Sequence, residues 1–365
     1  MMTDQLRDFT DRLFRWYEQH RRDLPWRRNP TPYRVWISEV MLQQTTVGAV
    51  RERFEQWMDL FPDLHSIARA GEQDVLAAWE GLGYYQRARR LHAAARRMEN
   101  RHGGSVPRKK KALLDLPGIG PYIASAIRSL AFGEDEVAID ANLRRVFMRL
   151  RALRGRPQDP QVRREVREAA EGALPAGQSS RFNQALMDFG SLVCRSPSPD
   201  CGRCFATDIC RAFQEGLQED IPERRPRTLE EISTAVAIFT RDSTAYIQRR
   251  PPEGLFAAMW EFPGGKVEEG ESPAEAVVRE VREELGVGCE VVEKLTEFVH
   301  YYTRFEVTLH AFICTPAGEP PQDDEHRWVG MDEIEDYPMP SANRKLVQRL
   351  EKWMEEGEIG MRNEE

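Results

Sequence analysis

The stretch Leu114 to Asn142, LDLPGIGPYIASAIRSLAFGEDEVAIDAN, decides how the rest of the chain is read. It holds two chemical devices. The first is Leu116-Pro117-Gly118-Ile119-Gly120, where two glycines flank one apolar residue. Glycines there permit a tight turn with no Cβ to block a close approach. The recurrence of Ile123, Ala124, Ile127, Leu130 and Ala131 predicts a helix that starts just after the turn. Free N–H groups at such a start can hold a phosphate. The second device is Asp140, reached through the apolar run Val137-Ala138-Ile139. That run sets a carboxylate at the edge of a core, where a charge needs a purpose. Taken alone, LPGIG reads equally as a turn that only links two helices.

Working outward toward the N-terminus, Leu6, Phe9, Leu13, Phe14 and Tyr17 mark a helix face for packing over residues 1–20. The segment Arg21 to Arg27 reads as a loop because of Pro25. Residues 33–45, YRVWISEVMLQQT, read as one helix with Glu39 and Gln43 on a common face and Trp36, Val40 and Leu42 as apolar surface. By itself Glu39 is an ordinary solvated glutamate. From Tyr84 to Lys111 ten basic residues face a single acidic one, an excess suited to neutralising phosphates or to a solvated basic face. Leu82, Tyr84 and Tyr85 lie beside it.

Toward the C-terminus, residues 143–192 read as further helices, followed by Cys194-x6-Cys201-x2-Cys204-x5-Cys210. Residues 216–232 are polar with Pro222 and Pro226 and read as a linker. The pattern then turns strand-like in STAVAIF, TAYIQRR and FEVTLHAFIC. Beyond Trp260-Glu261-Phe262-Pro263-Gly264 comes Gly265-x5-Glu271-x7-Arg279-Glu280-Val281-x-Glu283-Glu284-x-Gly286-Val287. On a helix Glu280, Glu283 and Glu284 face one way, which is unfavourable unless a cation joins them. Oxygen ligands of that kind suit Mg²⁺.

The totals agree with two domains of unlike task. The 365 residues carry a net charge of -8, yet residues 1–214 hold 35 Lys and Arg against 26 Asp and Glu, and residues 215–365 hold 17 against 34. A duplex would therefore be met mainly by the first part. No apolar run is long enough to span a membrane, and the start is an amphipathic helix pattern, so a soluble cytoplasmic protein is expected. Clustered cysteines in that setting suit a metal site better than disulfides, and Cys289 and Cys314 read as packing residues.

LPGIG with its helix and AIDAN resembles the helix-hairpin-helix DNA glycosylases, and WISEVMLQQT resembles their adenine-specific branch, the MutY family. The resemblance implies Glu39 as general acid, Asp140 facing the sugar, and Asn142 steadying the sugar side. It sets Gln43, Gln44, Thr45, Gly118, Gly120 and Tyr122 against DNA, Leu82 and Tyr84 at the base wedge, and Arg22, Trp26 and Gln184 around adenine. Strand-cutting relatives hold a lysine where this chain has Tyr122, which implies release of the base without strand cleavage. The cysteine spacing is similar to the loop that binds a 4Fe–4S cluster in endonuclease III and MutY proteins; a four-cysteine zinc site is the alternative.

The second domain resembles the Nudix fold with its box intact, whereas many MutY relatives have lost it. It implies Mg²⁺ at Glu280, Glu283 and Glu284 and hydrolysis of 8-oxo-dGTP, or else a module that only reads 8-oxoguanine in DNA. Met339-Pro340-Ser341-Ala342-Asn343 resembles the MutT segment that offers an asparagine, here Asn343, to 8-oxoguanine. The MutY Phe-Ser-His loop is Tyr302-Thr303-Arg304 here, leaving Thr303 as its hydroxyl. The expected architecture is an all-α helix-hairpin-helix glycosylase domain over 1–215 with a cluster loop at 194–210, a linker at 216–232, and an α+β Nudix domain over 233–365. The expected partner of this monomer is double-stranded DNA with A:8-oxoguanine or A:G mispairs.

Overall fold

The computed structural model describes residues 2–223, 229–251, 256–302 and 304–362, with side chains between residues 4 and 356. It divides into two compact units, one of Met1–Ala78 with Arg87–Pro226, the other of Trp79–Gln86 with Arg227–Glu365. No helix among the described residues is long and apolar enough to cross a membrane.

The first unit is helical. Its helix Met2–His20 buries Phe9 and Leu13, as the apolar spacing requires, against Phe147 and Val146 of helix Ala141–Leu150 and Phe182, Leu186 and Phe189 of helix Ser179–Leu192. Helix Pro32–Met41 starts on Thr31, whose side-chain oxygen accepts from Arg34 N, and buries seven consecutive residues from Val35 to Met41. It packs against helix Pro121–Leu130, which begins with a proline at its first position. That contact faces Glu39 with Tyr122. Helix Pro32–Met41 ends four residues short of the 33–45 reading, so Gln43, Gln44 and Thr45 lie in a turn, with Gln44 at φ 58°. The cause is distant in sequence: the Arg87 guanidinium takes the carbonyls of Val40 at 2.8 Å and Met41 at 2.9 Å and the Thr45 hydroxyl at 2.9 Å. A cation on the last carbonyls stops the helix there.

The second unit is mixed. Strands β1 (Glu230–Ile238), β2 (Thr240–Arg241), β3 (Thr244–Arg249), β4 (Trp260–Glu261), β5 (Gly264–Lys266), β6 (Cys289–Tyr301), β7 (Phe305–Pro316) and β8 (His326–Gly330) form two sheets. One has the order β5-β1-β7-β6; in the other β3 lies between β2 and β4 and also pairs with β8. β1 and β7 run parallel from Glu230↔Phe305 to Ile238↔Ile313, so β1 begins inside the stretch read as linker. β1 alternates in the way a strand buried on both faces must. Ala235 and Ala237, with Phe239 just beyond the strand, join Val277, Val281 and Leu285 of helix Pro273–Leu285. Val236 and Ile238 join Leu346, Val347 and Leu350 of helix Ser341–Arg362.

Candidate active site

Glu39 projects from the middle of a buried helix and is 4% exposed. Its Oε2 accepts from the Tyr122 hydroxyl at 2.5 Å. Burial pushes the Glu39 carboxyl up to about 7; the Tyr122 hydrogen bond and Arg27 oppose the rise and the Asp140 charge adds to it. The partner is thus a neutral phenol rather than a cation, and burial also raises Tyr122 well above the usual phenol range.

Asp140 caps helix Ala141–Leu150, its Oδ1 accepting from Leu143 N at 2.7 Å and its Oδ2 from Asn142 Nδ2 at 2.9 Å. Burial raises this carboxyl too, against the N–H groups of Leu143 and Asn142. A helix start is a favourable place for a negative charge, so the cap holds the carboxylate while the core crowds it. Asn142 is oriented in turn by Arg145, which donates to Asn142 Oδ1 at 2.8 Å, Gly190 O at 2.7 Å and Cys194 O at 2.7 Å.

Arg27, whose charge acts on Glu39, belongs to a buried ion cluster. Asp188 is fully buried and accepts from Arg22 Nε at 2.7 Å and from Arg27 at 2.7 and 3.0 Å. Two guanidiniums thus share one buried carboxylate. Tyr17 donates to Gln184 Oε1 at 3.3 Å, and Trp26 is buried edge-on against Phe54.

In the turn, Leu116 and Ile119 are buried and the two glycines differ. Gly118 has φ 76°, and a Cβ added there would lie 2.9 Å from Arg90 Cβ, so the fold itself demands glycine. Gly120 has φ -89° and nothing within 4 Å of an added Cβ.

The basic stretch is less free than its composition implies. Arg87 caps a helix, Arg89 pairs with Glu72, Arg96 and Arg97 donate to backbone carbonyls, and Arg108 and Lys110 pair with Glu134 and Glu136. Six of the ten cations thus hold the unit together. Leu82 is buried, while Tyr84 is 40% exposed and sits at φ 50°.

Cys194, Cys201, Cys204 and Cys210 are free thiols that line one cavity together with Arg149. Arg149 reaches Cys194 Sγ at 3.3 Å, and Ala206 N reaches Cys204 Sγ at 3.4 Å. Burial pushes the Cys204 thiol up to about 12, so only a bound cation would draw out its thiolate. Among the described residues no three His, Cys, Asp or Glu side chains are gathered tightly enough for one ion. Four thiols lining one cavity are a ligand set that a 4Fe–4S cluster or a zinc ion would take.

In the second unit the Glu280, Glu283 and Glu284 side chains leave helix Pro273–Leu285, which is closed by a Ser272–Glu275 capping box and a left-handed Gly286. Arg279 donates to Glu280 at 2.9 Å, Glu283 at 3.3 Å and Glu271 at 2.6 Å, which holds Glu271 below the usual carboxylate range. Glu284 instead accepts from Gln248 at 2.6 Å and Gly264 N at 3.1 Å. Arg279 thus bridges two of the three glutamates of the box, Glu280 and Glu283, while Glu284 turns to Gln248 and the Gly264 backbone. Glu261, opposite Gln248, is raised to about 7 by burial against its Arg250 partner. Asn343 is buried and its Oδ1 accepts from Phe262 N at 3.0 Å. Thr303 lies outside the described residues.

Residues 37–171 match the family model described as HhH-GPD superfamily base excision DNA repair protein, and residues 234–349 match the NUDIX domain. An adenine DNA glycosylase of Homo sapiens is 31% identical over 398 residues, covering 93% of this chain and 73% of that protein. The chain belongs to the adenine DNA glycosylase family. A relative of that name from Mycolicibacterium smegmatis is 36% identical over 242 residues, covering 65% of this chain and 82% of its own. The structure of a thermostable thymine-DNA glycosylase aligns with a TM-score of 0.53 at 30% identity, covering 58% of this chain and 98% of that one.

For this member of the adenine DNA glycosylase family, the structure brings Glu39, Tyr122, Asp140 and Asn142 into one site. It brings the four cysteines around one cavity, and it sets Arg22 and Gln184 on the helix that carries Asp188 or against it. Sequence reading missed Arg27, Asp188, Tyr17 and Arg145. A signal existed for two of them: Asp188 lies four residues after Gln184 and Arg145 three after Asn142, spacings that share a helix face.

Proposed function

We propose that the protein hydrolyses the N-glycosidic bond of adenine mispaired in duplex DNA, with 8-oxoguanine or guanine as the opposite base, and acts inside the cell as a monomer on chromosomal DNA. The observation that carries this reading is the buried Glu39 carboxyl, pushed to about 7 beside a phenol and across from Asp140. Purine departure needs a proton on the leaving base and a negative charge near the sugar. Glu39 keeps its proton near neutral pH and delivers it to adenine N7. The C–N bond electrons leave with the base, and the Asp140 carboxylate stabilises the cation left on the sugar. Water then adds to that carbon and loses a proton, giving a free hydroxyl at the abasic sugar. Asn142, held by Arg145, keeps the Asp140 carboxylate turned toward the sugar.

The open space beside Gly120 and the helix start just after it support a grip on a DNA phosphate. Gln43, Gln44 and Thr45 in the turn after Glu39 supply the surface that would hold the extruded nucleotide, with adenine bounded by Arg22, Arg27, Trp26 and Gln184. Cys194, Cys201, Cys204 and Cys210 would bind a 4Fe–4S cluster, which when present ties residues 194–210 together through four thiolate bonds. No lysine stands at position 122, so the strand is left intact. The test is single-turnover release of adenine from an A:8-oxoguanine duplex, run with borohydride. Release without a trapped protein–DNA adduct supports the reading, and a stoichiometric adduct contradicts it.

A second reading concerns the other unit. Gly265 gives the Glu280 carboxylate its space, since a Cβ there would lie 2.3 Å from Glu280 Cδ, and this favours a working Nudix box. The activity would be pyrophosphate release from 8-oxo-dGTP with added Mg²⁺, with Asn343 beside the base. The alternative is a module that reads 8-oxoguanine in DNA. Pyrophosphate release lost in Glu283→Gln separates the two.

A further inference from the structure

Residues 134–140 carry the chain from the second hairpin helix to Asp140, and Glu136 sits in their middle with its side chain 16% exposed. Its carboxylate accepts from Lys110 Nζ at 2.8 Å, on the helix before the LPGIG turn, and from Ser125 Oγ at 2.8 Å and Arg128 Nε on the helix after it. One side chain therefore joins both arms of the hairpin. Burial would raise this carboxyl, but its three donors together hold it below the usual range, so the ties are charge-assisted at neutral pH.

The backbone of the same segment is bound from the opposite side. Ser179 Oγ donates to Glu134 O at 2.7 Å. The fully buried Asn183 donates to Glu136 O at 2.8 Å and accepts from Ala138 N at 2.9 Å. Helix Ser179–Leu192, which supplies these groups, also carries Gln184 and Asp188. Hairpin, pocket helix and the approach to Asp140 thus meet at one residue.

We propose that Glu136 is a positioning residue that fixes the hairpin turn relative to Asp140, so that gripping a backbone phosphate places the neighbouring sugar at the carboxylate. The inference rests on the glycosylase reading above. A displacement of about 1 Å at a reacting group can lower a rate by about a hundredfold. Loosening this joint therefore lowers the rate of the bound complex rather than its formation. Neutralising Glu136 also releases Lys110, so affinity for duplex holds or rises and its salt dependence steepens by up to about one ion.

The experiment compares wild type with Glu136→Gln in the full chain. It reads single-turnover adenine release at saturating enzyme, affinity for a duplex with a non-cleavable adenine analogue at several salt concentrations, and thermal midpoint. The expected result is a rate at least about tenfold lower with duplex affinity equal or tighter. A rate within twofold of wild type overturns the proposal, as does a rate loss matched by equal weakening of binding. Should Glu136→Gln unfold, Lys110→Met removes only the tie from the first helix, on a side chain 42% exposed. A slower bound complex with unchanged midpoint then supports the proposal, and an unchanged rate overturns it. A wild type that releases no adenine removes the glycosylase reading and this inference together, whereas an active wild type with unaffected variants removes the inference alone.

Discussion

Glutamates do opposite work in the two units. Glu39 is buried and meets only the neutral Tyr122 hydroxyl, so its carboxyl rises to about 7 and holds a proton when others have lost theirs. In the second unit Arg279 binds Glu271, Glu280 and Glu283, and Glu283 is 61% exposed. Arg279 holds the Glu271 carboxyl below the usual carboxylate range. The difference teaches that burial decides: it raises Glu39 beside a phenol, and it raises Glu261 to about 7 even with Arg250 at its side, whereas the exposed Glu271 follows its guanidinium.

The sharpest way to break this comparison is to remove the proton from one side and the charge from the other. Glu39→Gln should slow single-turnover adenine release by about 10²- to 10⁴-fold, the range of a lost general acid. Glu283→Gln should leave adenine release within about twofold and abolish any Mg²⁺-dependent pyrophosphate release from 8-oxo-dGTP. Equal effects of both substitutions on adenine release would end the division of labour. A smaller effect is expected from pH. The wild-type rate should fall about tenfold per unit above pH 7, as Glu39 loses its proton. An acid limb should appear above the usual aspartate range, where Asp140 gains one. A profile flat from pH 6 to 9 would show that Glu39 gives no proton.

Features set by local spacing were legible in the sequence. LPGIG, with the helix that starts just after it, and the helix that carries Glu280, Glu283 and Glu284 depend on residues within one or two turns of each other. The four cysteines stood out because few arrangements use that spacing. What stayed hidden depends on partners far along the chain. Arg87 ends the Glu39 helix from 46 or more residues away, and Arg22 and Arg27 find Asp188 across more than 160. The same holds for the basic run between Tyr84 and Lys111, where six cations meet acidic or carbonyl partners that lie elsewhere in sequence. Composition counts charges but not the groups they face.

The turn glycines sharpen the contrast between residues that serve the fold and residues that serve a ligand. Gly118→Ala should destabilise the first unit by about 1–3 kcal/mol, because a positive φ and Arg90 both oppose a side chain. Gly120→Ala should leave the thermal midpoint within about 2 °C, its backbone being ordinary and its surroundings open. It should still weaken duplex binding several-fold, because the methyl group would stand where a phosphate approaches. Equal loss of stability in both variants would mean that Gly120 also serves the fold.

The smallest effect concerns stability and separates the two kinds of glutamate most directly. The Glu39 carboxyl is raised in the folded chain from an ordinary value of 4.5 to about 7. Between those values the folded state binds more protons than the unfolded one, so stability falls as pH rises through the window, and the full penalty is present above it. Glutamine cannot ionise and can still accept from Tyr122. Glu39→Gln should therefore match wild type below about pH 4.5 and exceed it by about 2 kcal/mol at pH 8, each unit being worth 1.36 kcal/mol before solvent relaxation reduces it. Glu283→Gln, on an exposed side chain, should stay within about 0.5 kcal/mol at either pH. Denaturant midpoints at pH 5 and pH 8 measure both. A Glu39→Gln variant no more stable than wild type at pH 8 would mean that the carboxylate is already ionised at no cost, and the site would then have no acid to offer adenine.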